Sequence, residues 1–281
     1  MKTSIMLMIA ALFGGISALQ LAMPTIKAPA SASTIIMTAS RRQVISTAAA
    51  FAALPSTLGG IPPALADAGK VVIFGGSGYV GAYASKILLE KGVKVVSVSR
   101  KSPTEAAEKV SAILGKTIGV EYKTLDATSD DLSGVLAGAT AVISCVGIAP
   151  GGANQRDGNG KANIAIANAV KAAGIDKFVY LGLASELAGG PIKFIFGDYV
   201  KGKAEGEAAV TKNFGASALI IEPGIIAGAP PGEIRPPGPP GMDPVPVEAV
   251  ARAAVAGALG LKTGKVDGNA AIISAAAVAG I

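Results

Sequence analysis

From residue 70 onward the chain repeats one pattern, a short β-branched run followed by an amphipathic helical stretch. KVVIF, KVVSVS, GVEYKTL, TAVISCVG, KFVYLGL and SALIIEP read as strands. GYVGAYASKILLEKG, TEAAEKVSAIL, SDDLSGVLAG, NGKANIAIANAVKAAG and YVKGKAEGEAAVTKNFG read as the helices between them, and VEAVARAAVAGAL as a late one. Strands separated by helices of this length return to the sheet through right-handed crossovers, which makes the sheet parallel and covers both its faces. The expected class is therefore α/β, a doubly wound parallel sheet with a small C-terminal substrate region. One segment interrupts the rhythm: GAPPGEIRPPGPPGMDPVPV, residues 228–247, carries eight prolines. It is expected to be a stiff loop, either a plain surface connection or, the favoured reading, a flap over the substrate end of the sheet.

The first strand runs straight into VVIFGGSGYVG, which sets Gly75, Gly78 and Gly81 in a GxxGxxG spacing at the opening of a helix. Gly75 permits a tight turn, Gly78 lets backbone approach a diphosphate, and Gly81 lets helix and sheet close together. With Ser77, Tyr79 and Val80, these residues form the turn and first helical positions where a diphosphate would meet the N–H groups of the helix. Strand, glycines, helix and second strand in that order point to a Rossmann-type dinucleotide site.

The end of the second strand selects among dinucleotides. It reads Ser99-Arg100-Lys101-Ser102, with no carboxylate to meet a ribose diol and two cations suited to a 2′-phosphate. NADP(H) is the expected cofactor and NAD(H) the second choice. Asp126 and Ala127 follow the third strand, where they can meet an adenine edge. Cys145, Val146 and Gly147 end the fourth strand under the expected path of the cofactor.

Composition narrows the chemistry. The chain has no histidine and one cysteine, which removes Ser-His-Asp hydrolysis, imidazole acid–base work and intramolecular disulfides, and no metal site is expected. Cys145, without a histidine to activate it, reads as a small buried residue. Proton chemistry then falls to Tyr, Lys, Ser, Asp or Glu. Tyr199 and Lys203 stand at i and i+4, on one helix face, after the fifth strand. A tyrosine titrates near ~10, and a neighbouring ammonium favours its phenolate, so such a pair can move a proton at a substrate oxygen. Ser185, just beyond the fifth strand, is either a hydroxyl partner for that oxygen or a capping serine.

The first 66 residues read as an address. Met1 to about Ala18 matches a secretory signal, with an apolar run too short for a membrane span. A Ser-, Thr- and Ala-rich stretch follows, and then SRRQVISTAAAFAALPSTLGGIPPALA, a twin-arginine segment closing on Ala64-Leu65-Ala66. The alternative is two ordinary arginines before an anchor or buried helix. The series resembles a thylakoid-lumen leader in an alga with a secondary plastid, and leaves residues 67–281 as one domain without a transmembrane segment. Lys2, Lys27, Arg41 and Arg42 precede Asp67, the first acidic residue. Without them the net charge of +6 falls to +2, with 21 basic against 19 acidic residues, which gives no case for nucleic acid as a partner.

GGSGYVG, VSVSRK, AVISCVG, KFVYLGLAS, YVKGKAEGEAAV and IIEPGIIAG, in order across residues 70–260, resemble the short-chain dehydrogenase/reductase superfamily in its atypical or extended branch. Within it the chain is most similar to plastid NAD(P)-binding proteins of thylakoids and plastoglobules and to the nucleotide-binding accessory subunit of respiratory complex I. The resemblance implies Tyr199 as proton donor, Lys203 as its electrostatic and ribose partner, Ser185 as the substrate-orienting hydroxyl, and Pro223 and Gly224 along the nicotinamide. Glu222 departs from the arginine common before that proline, and LGLASE has one serine where many members have two. Two functions follow. The first is an NADP(H)-dependent oxidoreductase of a small apolar carbonyl, alcohol or quinone-like substrate in the plastid. The second is a non-catalytic NADP(H)-binding protein that stabilises or assembles a thylakoid complex.

Overall fold

The computed structural model describes residues 69–233, 242–278 and 280. The leader expected over residues 1–66, its twin arginines and the boundary at residue 67 lie outside them.

Each β-branched run becomes a strand. In chain order these are β1 (Lys70–Phe74), β2 (Lys94–Ser99), β3 (Glu121–Thr124), β4 (Ala139–Ser144), β5 (Lys177–Leu181), β6 (Leu219–Glu222) and β7 (Gly264–Asp267). The main helices are α1 (Tyr79–Glu90) and α2 (Pro103–Leu114), the short α3 (Ser133–Leu136) and α4 (Gln155–Asn159), then α5 (Lys161–Ala172). After β5 come two short turns of helix, α6 (Ser185–Gly189) and α7 (Ile192–Ile195), and the long α8 (Gly197–Phe214). The chain closes with α9 (Val247–Ala258) before β7 and α10 (Asn269–Val278) after it.

All seven strands pair parallel in the order β3-β2-β1-β4-β5-β6-β7. The order reverses between β1 and β4, and a crevice opens at such a switch point, beyond the carboxyl ends of the strands. Alternation along the strands supplies two cores. Val71 and Ile73 join Val95, Ile143 and Leu219 under α1 and α9, whereas Val72 and Phe74 join Val98, Val142 and Phe178 under α5 and α8. On the second face Phe178 stacks on Phe214 of α8 at 5.0 Å between ring centroids.

The fold class is the expected one, and the differences are local. The helix expected from residue 159 starts at Lys161, as α5, and is preceded by the separate short α4, with Gly160 between them where α8 comes close. A Cβ there would stand 2.8 Å from the Arg156 carbonyl and 3.3 Å from Gly202 Cα. The β3 run is half the expected length, and most of it is exposed at the sheet edge. β7 and α10 were not marked by a β-branched run or a helical stripe: GKVD is four residues long, and NAAIISAAAV is apolar all round.

Candidate functional site

The turn between β1 and α1 is built from backbone. Gly75 N–H donates to Val98 O at 2.8 Å, tying the turn to β2, and Gly78 N–H donates back to Gly75 O at 2.9 Å. Gly75 has φ +74°, and a Cβ on it would stand 2.9 Å from the carbonyl of Cys145. On Gly81 a Cβ would stand 2.5 Å from Gly75 O, and on Gly78 3.0 Å from the same oxygen. Gly76, which the spacing did not single out, is equally constrained, since its Cβ would meet the buried Ser97 Oγ at 2.4 Å. Ser77 and Val80 are buried beneath the turn and Tyr79 half-buried. No side chain caps α1, and its first turn holds no acid, so its N-terminal N–H groups and dipole suit a diphosphate. A cradle that any Cβ would fill fits a dinucleotide laid against backbone.

At the end of β2, Arg100 and Lys101 are exposed and Ser99 half-buried. Ser99 Oγ accepts from Lys101 N–H at 3.3 Å, and Lys101 O accepts from Thr124 Oγ1 at 2.8 Å, so the strand end is held from β3. Ser102 then starts α2 through a capping box with Glu105, followed by Pro103. Asp126 is committed to its own loop: Oδ1 accepts from Thr128 N–H at 2.8 Å and Thr128 Oγ1 at 2.6 Å. Those bonds, and then the charge of Arg100, hold its carboxyl below the usual range. What Asp126 offers an adenine is backbone beside Ala127, which packs half-buried on the core.

Across the crevice, two buried asparagines that sequence reading missed shape the end of β4. Asn163 Oδ1 accepts from Ser144 Oγ at 2.6 Å, and its Nδ2 donates to Val146 O at 3.2 Å. Asn159 Nδ2 donates to Ile148 O at 2.9 Å, and its Oδ1 accepts from Ile148 N–H at 3.3 Å. They fix residues 144–148 from the helices behind them. The signal was present as two asparagines at i and i+4 on the face of NGKANIAIAN that should be apolar. Cys145 N–H donates to Phe74 O at 2.8 Å. Burial pushes its thiol up to about 12 against the pull of the Lys203 ammonium, so it stays protonated.

Lys203 closes the site from α8. It is 8% exposed, donates from Nζ to Leu181 O at 2.9 Å, and lies over the Tyr180 ring at 5.7 Å. A Cβ on Gly147 would stand 3.2 Å from its Nζ, which places the ammonium at the end of β4. Burial lowers it to about 8. Tyr180 Oη donates to Lys203 O at 2.9 Å, and burial, then Glu207, Tyr199 and Glu222, raise that phenol further. Helix α8 comes this near because Gly202 and Gly206 carry no side chain: Cβ atoms there would stand 2.7 Å from Arg156 O and 2.8 Å from Tyr180 Oη. Arg156 on α4 pairs through Nε with Glu205 at 2.9 Å and fixes the same contact from outside. Tyr199, half-buried, lies one turn before Lys203 on this helix.

Ser185, just after β5, is engaged by Asp267. Its N–H donates to Asp267 Oδ1 at 3.0 Å and its hydroxyl to Asp267 Oδ2, so it joins the ends of β5 and β7. Burial raises the Asp267 carboxyl, but the Ser185 hydrogen bonds outweigh it and leave the group below its ordinary value. Next to it Glu222 is 2% exposed, with Lys265 Nζ 2.9 Å from Oε1 and Oε2 buried without a partner. Lys265 also holds Glu207 at 2.8 Å. Burial, then the Glu207 carboxylate, raise Glu222 to about 8 against the pull of Lys265. Glu222 is thus a buried acid at the end of β6. Pro223 O accepts from Ala184 N–H at 3.1 Å, and Gly224 N–H donates to Asn269 Oδ1 at 2.8 Å. The described part of the Pro-rich loop reaches α1 and α2, as Gly228 beside Tyr79 and Glu233 beside Lys109 show.

A seven-stranded parallel sheet with this glycine turn at the switch point defines a dinucleotide-binding Rossmann protein. The model of the NAD(P)H-binding family matches residues 75–259, and the chain belongs to that family. Residues 234–241 of that span are among those not described. The chain is 32% identical over 160 residues to an uncharacterized chloroplastic protein of Arabidopsis thaliana, covering 57% of this chain and 51% of that one. It is 32% identical over 137 residues to a 3-beta-hydroxysteroid dehydrogenase of Mycolicibacterium neoaurum, covering 47% and 36%. The chain thus spans about half or less of the length of these relatives. The Bordetella bronchiseptica enzyme WbmH, solved in complex with NAD+, superposes with a TM-score of 0.55 at 19% identity, over 71% of this chain and 75% of that one. Its likeness is one of fold. No helix among the described residues is long and apolar enough to cross a membrane.

Two outcomes are expected. Gly81→Ala drives a Cβ onto the Gly75 carbonyl, 2.5 Å away, and should weaken NAD(P)H binding by about tenfold or more in a fluorescence titration with far-UV circular dichroism unchanged. Glu222 keeps its proton in the folded state up to about 8 but releases it near 4.5 when unfolded. Its contribution is complete at the acid end and is lost as pH rises between those values. The raised value of Lys265 acts only above 10.5, outside that window. Glu222→Gln, permanently neutral, should therefore lose less urea stability than the parent between pH 5 and 8; parallel losses would refute the assignment.

Proposed function

We propose that the chain is an NADP(H)-dependent oxidoreductase acting on a small apolar carbonyl, alcohol or quinone-like compound. The observation that carries this reading is Lys203, a buried ammonium held by Leu181 O one turn after Tyr199, at the end of β4 beside the glycine turn. The glycine turn and the uncapped start of α1 hold the diphosphate; Gly147 and Lys203 border the nicotinamide ribose. A bound nicotinamide supplies or accepts the hydride. Tyr199 gives the proton to the substrate oxygen in reduction and takes it in oxidation, and Lys203, charged at pH 7, stabilises the phenolate that results. Arg100 and Lys101, exposed at the end of β2 without a carboxylate in the run Ser99–Ser102, support a 2′-phosphate and hence NADP(H) over NAD(H). The dehydrogenase of Mycolicibacterium neoaurum supports the oxidoreductase class.

A second reading is favoured by one observation, the commitment of the Ser185 hydroxyl to Asp267. With that hydroxyl held, the chain binds NADP(H) without turnover and serves to stabilise or assemble a thylakoid complex. For location, the serial leader and the chloroplastic relative support a plastid, and the twin arginines with Ala64-Leu65-Ala66 support its thylakoid lumen.

The readings separate on one residue. Tyr199→Phe should lower turnover of a carbonyl and quinone panel by about a hundredfold or more while NADPH still binds. The double change Arg100→Ala, Lys101→Ala should cost NADPH affinity about tenfold and NADH affinity little. Binding with no turnover by the parent protein would select the second reading. Replacing Arg41 and Arg42 with lysine should leave a reporter fusion on the stromal side of the thylakoid; continued lumenal delivery would sink the lumen assignment.

A further inference from the structure

The loop after β6 does more than connect two elements. Its base is closed: Asn269 accepts from Gly224 N–H at 2.8 Å and donates to Asp243 O at 2.6 Å, so one side chain holds both limbs. Ala227 N–H donates to Val245 O and Val245 N–H to Ile225 O, each at 2.8 Å. From this base the chain moves onto α1, where Gly228, at φ +71°, would place a Cβ 2.7 Å from Tyr79 Oη. Tyr79 is the first residue of α1, next to the diphosphate turn. Further on, Pro230, Pro231 and Glu233 face Lys101, Glu105 and Lys109 across a cleft of about 500 Å³. There Lys109 Nζ lies 3.6 Å from Glu233 Oε1.

The described part of the loop thus leaves β6, crosses the start of α1 and ends on α2. This path starts at the diphosphate turn and passes the β2 end, whose Lys101 lines the same cleft, and so follows the stretch that the adenosine half of a dinucleotide would bridge. We propose that residues 224–233 are a strap that retains the adenosine half of the bound dinucleotide, anchored at its base by Asn269 and fastened at its tip by the Lys109–Glu233 ion pair. The inference rests on the reading of the crevice as an NADP(H) site and adds a kinetic role to it.

The physical case is one of tether stiffness. Pro230 and Pro231 restrict the backbone, so fixing the tip costs little further entropy. The base is held by the hydrogen bonds of Asn269 and those between residues 225–227 and Val245, which leaves the Lys109–Glu233 contact as the part that opens to release the adenosine half. The fastening is exposed, with side chains 35% and 49% accessible. Such a pair adds little to stability and is screened by salt, which suits a contact that must open. Lys109 and Glu233 act on the cofactor through the strap and are positioning residues.

The test uses the full chain loaded with NADPH and chased with excess NADP+, following loss of NADPH fluorescence by stopped flow. Glu233→Lys and Lys109→Glu should each release NADPH about two- to fivefold faster. The double exchange Lys109→Glu, Glu233→Lys should return the rate to that of the parent, which a merely structural role would not predict. About 1 M salt should bring the parent up to the rate of the single variants. Unchanged release in both single variants, or a double exchange as fast as either, would overturn the strap alone. A parent protein that binds neither NADPH nor NADH in a prior titration would overturn the cofactor reading and the strap with it.

Discussion

The site depends on a close approach of backbone to backbone: Gly81 of α1 lies over the Gly75 carbonyl, where a Cβ would come within 2.5 Å. That contact decides how near α1 stands to β1. It also aims the helix at the crevice, because the turn between them has no slack: Gly75 is bonded to β2 and Gly78 back to Gly75. Everything on the far side answers to the same distance. Cys145 is hydrogen-bonded to Phe74, and its carbonyl fills the space a Gly75 side chain would need. The rest of the sheet is ordinary parallel packing of valines and isoleucines, and exchanges among them alter stability before they alter the site.

On the second face the determining event is the burial of a charge. An ammonium in a protein interior is costly unless it is hydrogen-bonded. Lys203 meets that condition through Leu181 O and the Tyr180 ring. The arrangement exists because Gly202 and Gly206 let α8 settle against α4 and β5, and because Asn159 and Asn163 satisfy the polar edge of β4 behind them. Helix, strand end and cation are thus one unit. A change in any of the two glycines or two asparagines reaches the lysine through packing, without touching a ligand.

Much of this was legible in the chain. Strand and helix order, the three spaced glycines, the basic end of β2 and the Tyr199–Lys203 spacing all follow from local pattern, and local pattern is where sequence carries information. Three features were not legible, each for a physical reason. Gly76 is constrained by Ser97, a residue 21 positions away, and no spacing rule joins them. Ser185 reads the same whether its hydroxyl faces a ligand or Asp267, 82 residues later. β7 could not be read, because a four-residue strand carries little periodicity, and pairing with β6 alone places it.

The protein carries one thiol in its whole sequence. Its sole sulfhydryl, Cys145, lies beneath the diphosphate turn, is held neutral by burial, and has no second cysteine to join. Peroxide, disulfide exchange and glutathione all require an accessible thiolate. Half-buried and held in the thiol form, Cys145 offers little thiolate for these reactions at the end of β4.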